Sequence, residues 1–193
     1  MPKPSIRQSG LTLVELMVTL AVLAILLSIA VPSFQSAIAT SQLTSSTNDL
    51  IATLAQARME ALRQGKRVTV CISSNGTQCA TSGTWQQGWI TFTDTTRSGT
   101  TANVDNGEAI LHSNGARQGD ISVAGSGNTA QYISFGPEGR SWTMSGAAQT
   151  GTIRVCSTSS HLSDASRARD LTLVASGKIT MEPTGVSSSC PAP

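Results

Sequence analysis

The stretch LTLVELMVTLAVLAILLSIAVP, residues 11–32, decides the architecture of this chain, and its only charge is Glu15. From Leu11 to Val31 it offers 21 residues. At about 1.5 Å of rise per residue, a helix of that length just crosses a hydrocarbon layer about 30 Å thick. Ahead of it lies a polar head, MPKPSIRQSG, carrying Lys3 and Arg7. Cations on that side favour keeping the head in the cytoplasm, so everything after Val31 is expected on the far side of the membrane. An ordinary secretory signal has similar flanks, and Ser28-Ile29-Ala30 offers small residues for its removal. Glu15 argues against that reading, because a carboxylate in an apolar run costs free energy unless something pairs with it.

Beyond Pro32 the helical pattern continues through SFQSAIATSQLTSSTNDLIATLAQARMEALRQG, residues 33–65. Leu43, Leu50, Leu54, Ala57, Ala61 and Leu62 form an apolar face at steps of three and four, interrupted by the polar stretch around Ser45 and Ser46. Gly65 is the expected stop. A helix from Leu11 to Gln64 would be about 80 Å long, more than a compact soluble domain accommodates. Pro32 is expected to bend it, since proline lacks the N–H and crowds the preceding turn. The first half, residues 11–31, needs lipid or other helices around it, and its small residues Thr19, Ala21, Ala24, Ser28 and Ala30 permit close approach. The second half, residues 32–65, is amphipathic and needs a sheet over its stripe. Arg58, Arg63, Lys66 and Arg67 read as a solvated cationic cap that suits the helix dipole.

From residue 66 to residue 193 short β-like runs alternate with Gly, Asn, Asp and Ser. Strands are expected at 68–73, 88–94, 108–113, 121–124, 132–135, 141–144, 151–156, 170–175 and 178–181. Ser176-Gly177 and Gly136-Pro137-Glu138-Gly139 read as turns. Trp85, Trp89 and Trp142 read as core bulk. The fold class is therefore α+β, a long helix on an antiparallel sheet domain.

Composition sets the limits on function. The chain has 193 residues, with 13 Lys and Arg against 11 Asp and Glu, a net charge of +2. Lys3 and Arg7 account for that excess, which excludes a basic groove built from bulk composition. No Ser, His and Asp pattern, carboxylate pair or phosphate loop presents itself, and Asp94 with His112 suggests none. No catalytic residue is assigned. Four cysteines, Cys71, Cys79, Cys156 and Cys190, contain no CxxC, and His112 and His161 lack spacing partners, so neither a metal nor another cofactor is expected. The cysteines suit an oxidising compartment. Three pairings exist; Cys71 with Cys79 and Cys156 with Cys190 is the expected one, because each would close a loop with little else to hold it.

The order Gly10-Leu11-Thr12-Leu13-Val14-Glu15 resembles the class III leader of type IV pilins and pseudopilins, with Leu where most major pilins carry Phe. The resemblance implies a leader at residues 1–10, cut by a prepilin peptidase between Gly10 and Leu11, and N-methylation of Leu11. It also implies that Glu15 neutralises the amino terminus of a neighbouring subunit during assembly. The strings QARMEALRQGKRVTVCIS, WQQGWITFTD, YISFGPEGRS and GTIRVC resemble the GspH/FimT branch of that family, most of all its FimT and FimU minor pilins. The implied fold is pilin-like. The implied function is a noncatalytic minor pilin that helps initiate pilus assembly or sits at the tip. Implied partners are other minor and major pilins and the inner-membrane assembly platform, with the body in the periplasm before assembly.

Two alternatives follow from the same resemblance. One is a type II secretion pseudopilin of the GspH kind. The other is a DNA-binding minor pilin, since some FimT proteins bind DNA through Gly-Arg-x-Arg. The matching positions are Gly177-Lys178-Ile179-Thr180, which keep one cation, and Lys178 with Arg167 and Arg169 would make a thin phosphate footprint.

Overall fold

The computed structural model describes residues 12–96, 99–105 and 107–193. The chain divides into two units, one ending at Ile38 and one spanning Ala39–Pro193. A single helix, α1 (Leu13–Gln64, 52 residues), belongs to both, and Pro32 lies inside it without ending it. In the first unit the apolar side chains stand exposed all round, from Leu13 to Ile38. This part is long and apolar enough to cross a membrane. Its hydroxyls are folded back on their own helix: Thr19 Oγ1 donates to the Leu16 carbonyl at 2.8 Å and Ser28 Oγ to that of Ile25 at 2.7 Å. Polar side chains satisfied in this way do not burden an apolar segment.

In the second unit the helix buries one face. Ala39, Leu43, Leu50, Leu54, Ala57 and Ala61 are buried as the spacing requires, joined by Ser46, Thr47 and Thr53. The hydroxyls of Thr47 and Thr53 bond back to the carbonyls of Leu43 and Asp49, which lets polar residues occupy the stripe. Leu62, expected on that face, is exposed because it lies at the margin of the stripe. The helix stops at Gly65, whose φ of +63° is the left-handed conformation that a helix end takes most easily with glycine.

Among the described residues eight strands follow in two antiparallel sheets. They are β1 (Val68–Ile72), β2 (Trp89–Thr93), β3 (Ile110–Asn114), β4 (Ile121–Gly125), β5 (Tyr132–Phe135), β6 (Gly151–Ser157), β7 (Ala168–Leu173) and β8 (Ile179–Thr184). One sheet has the order β3-β2-β1-β5 and the other β4-β6-β7-β8. The expected strand at 141–144 does not form: Ser141 and Trp142 make isolated bridges to Phe135 and Ala148 instead. The core joins the helix stripe to Val68, Val70 and Ile72 of β1, to Trp85 and Trp89, and to Ile153, Val155, Leu171 and Leu173 of the second sheet. Trp142 is only half-buried, with the Arg140 guanidinium 5.3 Å from its ring centre. The sequence marks both turns correctly. Gly177 has φ +76°, and a Cβ there would stand 2.1 Å from the Gly139 carbonyl oxygen, so two turns meet where only glycine fits.

Candidate functional site

Leader cleavage between Gly10 and Leu11, and methylation of Leu11, fall outside the described residues. The described chain begins with a capping arrangement that the sequence reading overlooked. The Thr12 carbonyl accepts the first helical bond, from Leu16 N at 3.1 Å. Glu15 Oε2 accepts from Thr12 N at 3.4 Å, while Glu15 N donates to Thr12 Oγ1 at 3.3 Å. This reciprocal pair is a capping box, and the spacing Thr-x-x-Glu was the signal for it. Glu15 is thereby fixed at the amino end of α1, where the helix dipole favours negative charge.

At the other end of α1 the expected solvated cap holds for Arg63 and Lys66, which are exposed, and fails for Arg58. Arg58 Nε donates to the Gly139 carbonyl at 2.9 Å and its Nη2 to that of Ser176 at 3.1 Å, so it clamps two turns of the body to the helix. Arg63 pairs with Glu60, whose carboxylate is held down to about 2 by that guanidinium and then by the Gln64 amide.

The three residues considered for phosphate contact are not gathered. Lys178 is exposed just before β8. Arg167 is 4% exposed, and its guanidinium donates to the carbonyls of Ser157, Ser159 and Leu162 and to Asp164. It is a buried tie between β6, β7 and their connection, with no face left for phosphate. Arg169 Nη1 bonds the carbonyls of Ser166 and Ala168. In the β7–β8 register Arg169 stands opposite Pro183 while Leu173 stands opposite Ile179. Lys178 and Arg169 therefore lie at opposite ends of the hairpin, about 17 Å apart along the strand.

The cysteines form two disulfides, Cys71–Cys79 with Cα atoms 5.5 Å apart and Cys156–Cys190 with Cα atoms 5.7 Å apart. The first closes the loop after β1 beside Ile90 and Phe92; the second ties the tail to β6, where Arg154 Nη1 also bonds the Pro191 carbonyl. Asp94, at the end of β2, is buried. Loss of hydration raises its carboxyl to about 6, against the pull of the Thr69 hydroxyl, which donates to Oδ2 at 2.7 Å. Charge patterning alone gives no sign of this burial. Among the described residues no cluster of His, Cys, Asp and Glu could hold a metal ion.

Comparison with known proteins adds to this geometry. Residues 46–177 match the family described as type II transport protein GspH. Residues 6–31 match the prokaryotic N-terminal methylation motif. No curated protein matches the chain. Among solved structures, the crystal structure of the type IV minor pilin FimU of Pseudomonas aeruginosa is similar, with 20% identity over 79% of this chain and 93% of that one and a TM-score of 0.50. A second crystal form of the same protein has 21% identity over 78% and 96%, with a TM-score of 0.49. At that identity the likeness concerns the fold, one long N-terminal helix followed by antiparallel sheets.

Proposed function

Because the chain belongs to the type II transport protein GspH family of type IV pilin-like proteins, we propose that it is a noncatalytic minor subunit of a type IV pilus that acts in assembly initiation or the tip complex. The observation that carries this reading is the methylation motif at residues 6–31, laid on the exposed apolar part of α1, whose carboxylate Glu15 is fixed in the first turn. In this reading a prepilin peptidase removes residues 1–10 and methylates Leu11. The subunit waits in the inner membrane with its body in the periplasm, then passes into the fibre among other minor and major pilins, guided by the assembly platform. Glu15 meets the new amino terminus of a subunit already in place, an attraction that is strong where water is scarce.

Deletion of the gene, followed by counting surface pili with parallel tests of secretion and transformation, examines the proposal. The expected result is loss of pili with secretion intact. A second reading, a type II secretion pseudopilin, is favoured by the description of the matched family itself; loss of secretion with pili unchanged would establish it instead. A DNA-receptor role has less support, since Arg167 is spent on carbonyls and Lys178 stands apart from Arg169. A gel shift at low salt that weakens on Lys178→Ala or Arg169→Ala would revive it.

A further inference from the structure

Among the described residues four strands form sheet edges; two of these edges are closed or blunted and a third packs beside a turn. The outer edge of β5 is occupied: Trp142 N donates to the Ser134 carbonyl at 2.9 Å. The Gln149 amide completes it, with Oε1 accepting from Ser134 N at 3.0 Å and Nε2 donating to the Tyr132 carbonyl at 2.9 Å. The edge strand β8 carries Glu182 and Pro183, the residue types that keep another strand away. The edge strand β4 packs beside the 3₁₀ turn Trp85–Gln87. The fourth edge is β3, ILHSN, which has neither proline nor a carboxylate, Lys or Arg.

Two cavities run along β3 on the side of α1, of about 330 and 220 Å³, and both are lined by Gln56 and His112. Together they make a groove that follows the helix from Asp49 to Glu60, about 16 Å at 1.5 Å per residue. Five residues of extended chain span the same length. In the first cavity Thr91, 1% exposed, presents a buried Oγ1 with no hydrogen-bond partner. A buried hydroxyl without a partner is costly, and a donor or acceptor brought by another molecule would satisfy it. A bulge between Thr91 and Phe92 leaves Leu111 without a register partner, and Leu111 lines the same cavity. The backbone points the same way. Gly88 and Asp94 bond toward β1, so Trp89 and Thr91 bond toward their β3 partners Asn114 and His112. Ser113, between those two, turns its N–H and carbonyl outward, where no partner lies among the described residues.

We propose that this groove receives an extended, neutral, hydroxyl- or amide-bearing segment of a neighbouring filament subunit, lying against β3 at Ser113 with a polar side chain on the Thr91 hydroxyl. Neutral polar chemistry follows from the lining. The carboxylates at its two ends are already answered, Glu60 by Arg63 and Asp49 by Arg117 at 2.8 Å. What remains to bond a visitor is the Gln56 amide, the His112 ring and the Thr91 hydroxyl, with the backbone of Ser113 at the strand edge; the Ser113 side chain, opposite Ile90, lies on the other face of the sheet. The source of the segment rests on the subunit reading above.

The test is photo-crosslinking in cells that assemble the filament, using the full-length chain with Ser113→benzoylphenylalanine and, as the control edge, Glu182→benzoylphenylalanine. A crosslink from position 113 to an extended stretch of another filament subunit, absent from position 182, is expected. Thr91→Val keeps shape and removes the hydroxyl, and should lower that yield by roughly fivefold to tenfold. Gln56→Ala, on an exposed helix surface where alanine is the better helix former, should lower it without harming the fold. The inference is overturned by crosslinks only between two copies of this chain, or by yields that Thr91→Val and Gln56→Ala leave unchanged. Absence of any crosslink from 113 while the chain still enters filaments overturns it too, and leaves the subunit reading standing. Absence of the chain from filaments overturns both.

Discussion

Glu15 is bound at one oxygen by Thr12 and is otherwise surrounded by exposed leucine, valine and methionine side chains. A carboxylate so placed is held in position ahead of any encounter, which lowers the ordering cost of a later ion pair. Replacing it tests the role: Glu15→Leu is expected to leave leader removal largely intact and to block entry into the filament, and immunoblots of sheared pili with normal amounts of the variant would refute this. Asp94 gives a second test at the same scale. Its folded-state carboxyl titrates near 6 against an ordinary 3.8, so between about pH 4 and pH 6 the folded protein binds more protons than the unfolded one. Its contribution to stability is therefore greatest at low pH and is lost as pH rises through 6. Arg67 opposes the shift, while Glu108 and Asp105 add to it. Asp94→Asn should flatten that slope and raise the melting temperature at pH 7; thermal melts of the detergent-solubilised chain from pH 4 to pH 7 would show it, and an unchanged slope would count against the assignment.

At the scale of elements, the two disulfides do unequal work. Their sequence separations are 8 and 34 residues. In the chain-entropy picture these correspond to about 2.5 and about 3.7 kcal/mol. Cys156→Ser with Cys190→Ser is thus expected to cost more stability than Cys71→Ser with Cys79→Ser, as measured by denaturant unfolding of each pair of variants. The opposite ranking would mean that strain or residual order in the unfolded chain outweighs loop length. Elements were also what the sequence revealed best. The run from Leu13 to Ala30 has no helical period to read and needs none, and short β-like runs between turn residues marked the eight described strands together with one at 141–144 that does not form. What stayed hidden was relational: which strands share a sheet, that 141–149 closes an edge through the Gln149 side chain, and that Arg58 and Arg167 serve carbonyls distant in sequence or at a loop. A charged residue's partner is set by tertiary approach, and spacing along the chain carries little of that information. The capping box at Thr12 was legible and was missed because the same letters also spell the leader motif.

For the whole molecule, the body carries its own core. Residues Ala39–Pro193 contain the buried helix stripe, both sheets and both disulfides, while the apolar helix before Ile38 is exposed throughout. Removing residues 1–38 is therefore expected to give a soluble body that melts cooperatively within a few degrees of the full chain, read by circular dichroism; a large drop would show that the first unit supports the second. The hydroxyls of Thr19 and Ser28, folded onto Leu16 and Ile25, have one more consequence. They leave the helix with the same outward chemistry in any apolar medium. Moving it from a bilayer into a bundle of similar helices then exchanges one oil for another, with no polar bond of these residues broken on the way. For the apolar side chains and these hydroxyls such a transfer is nearly level in free energy, so under the proposed assembly its direction is left to the Glu15 ion pair and to whatever does work on the filament.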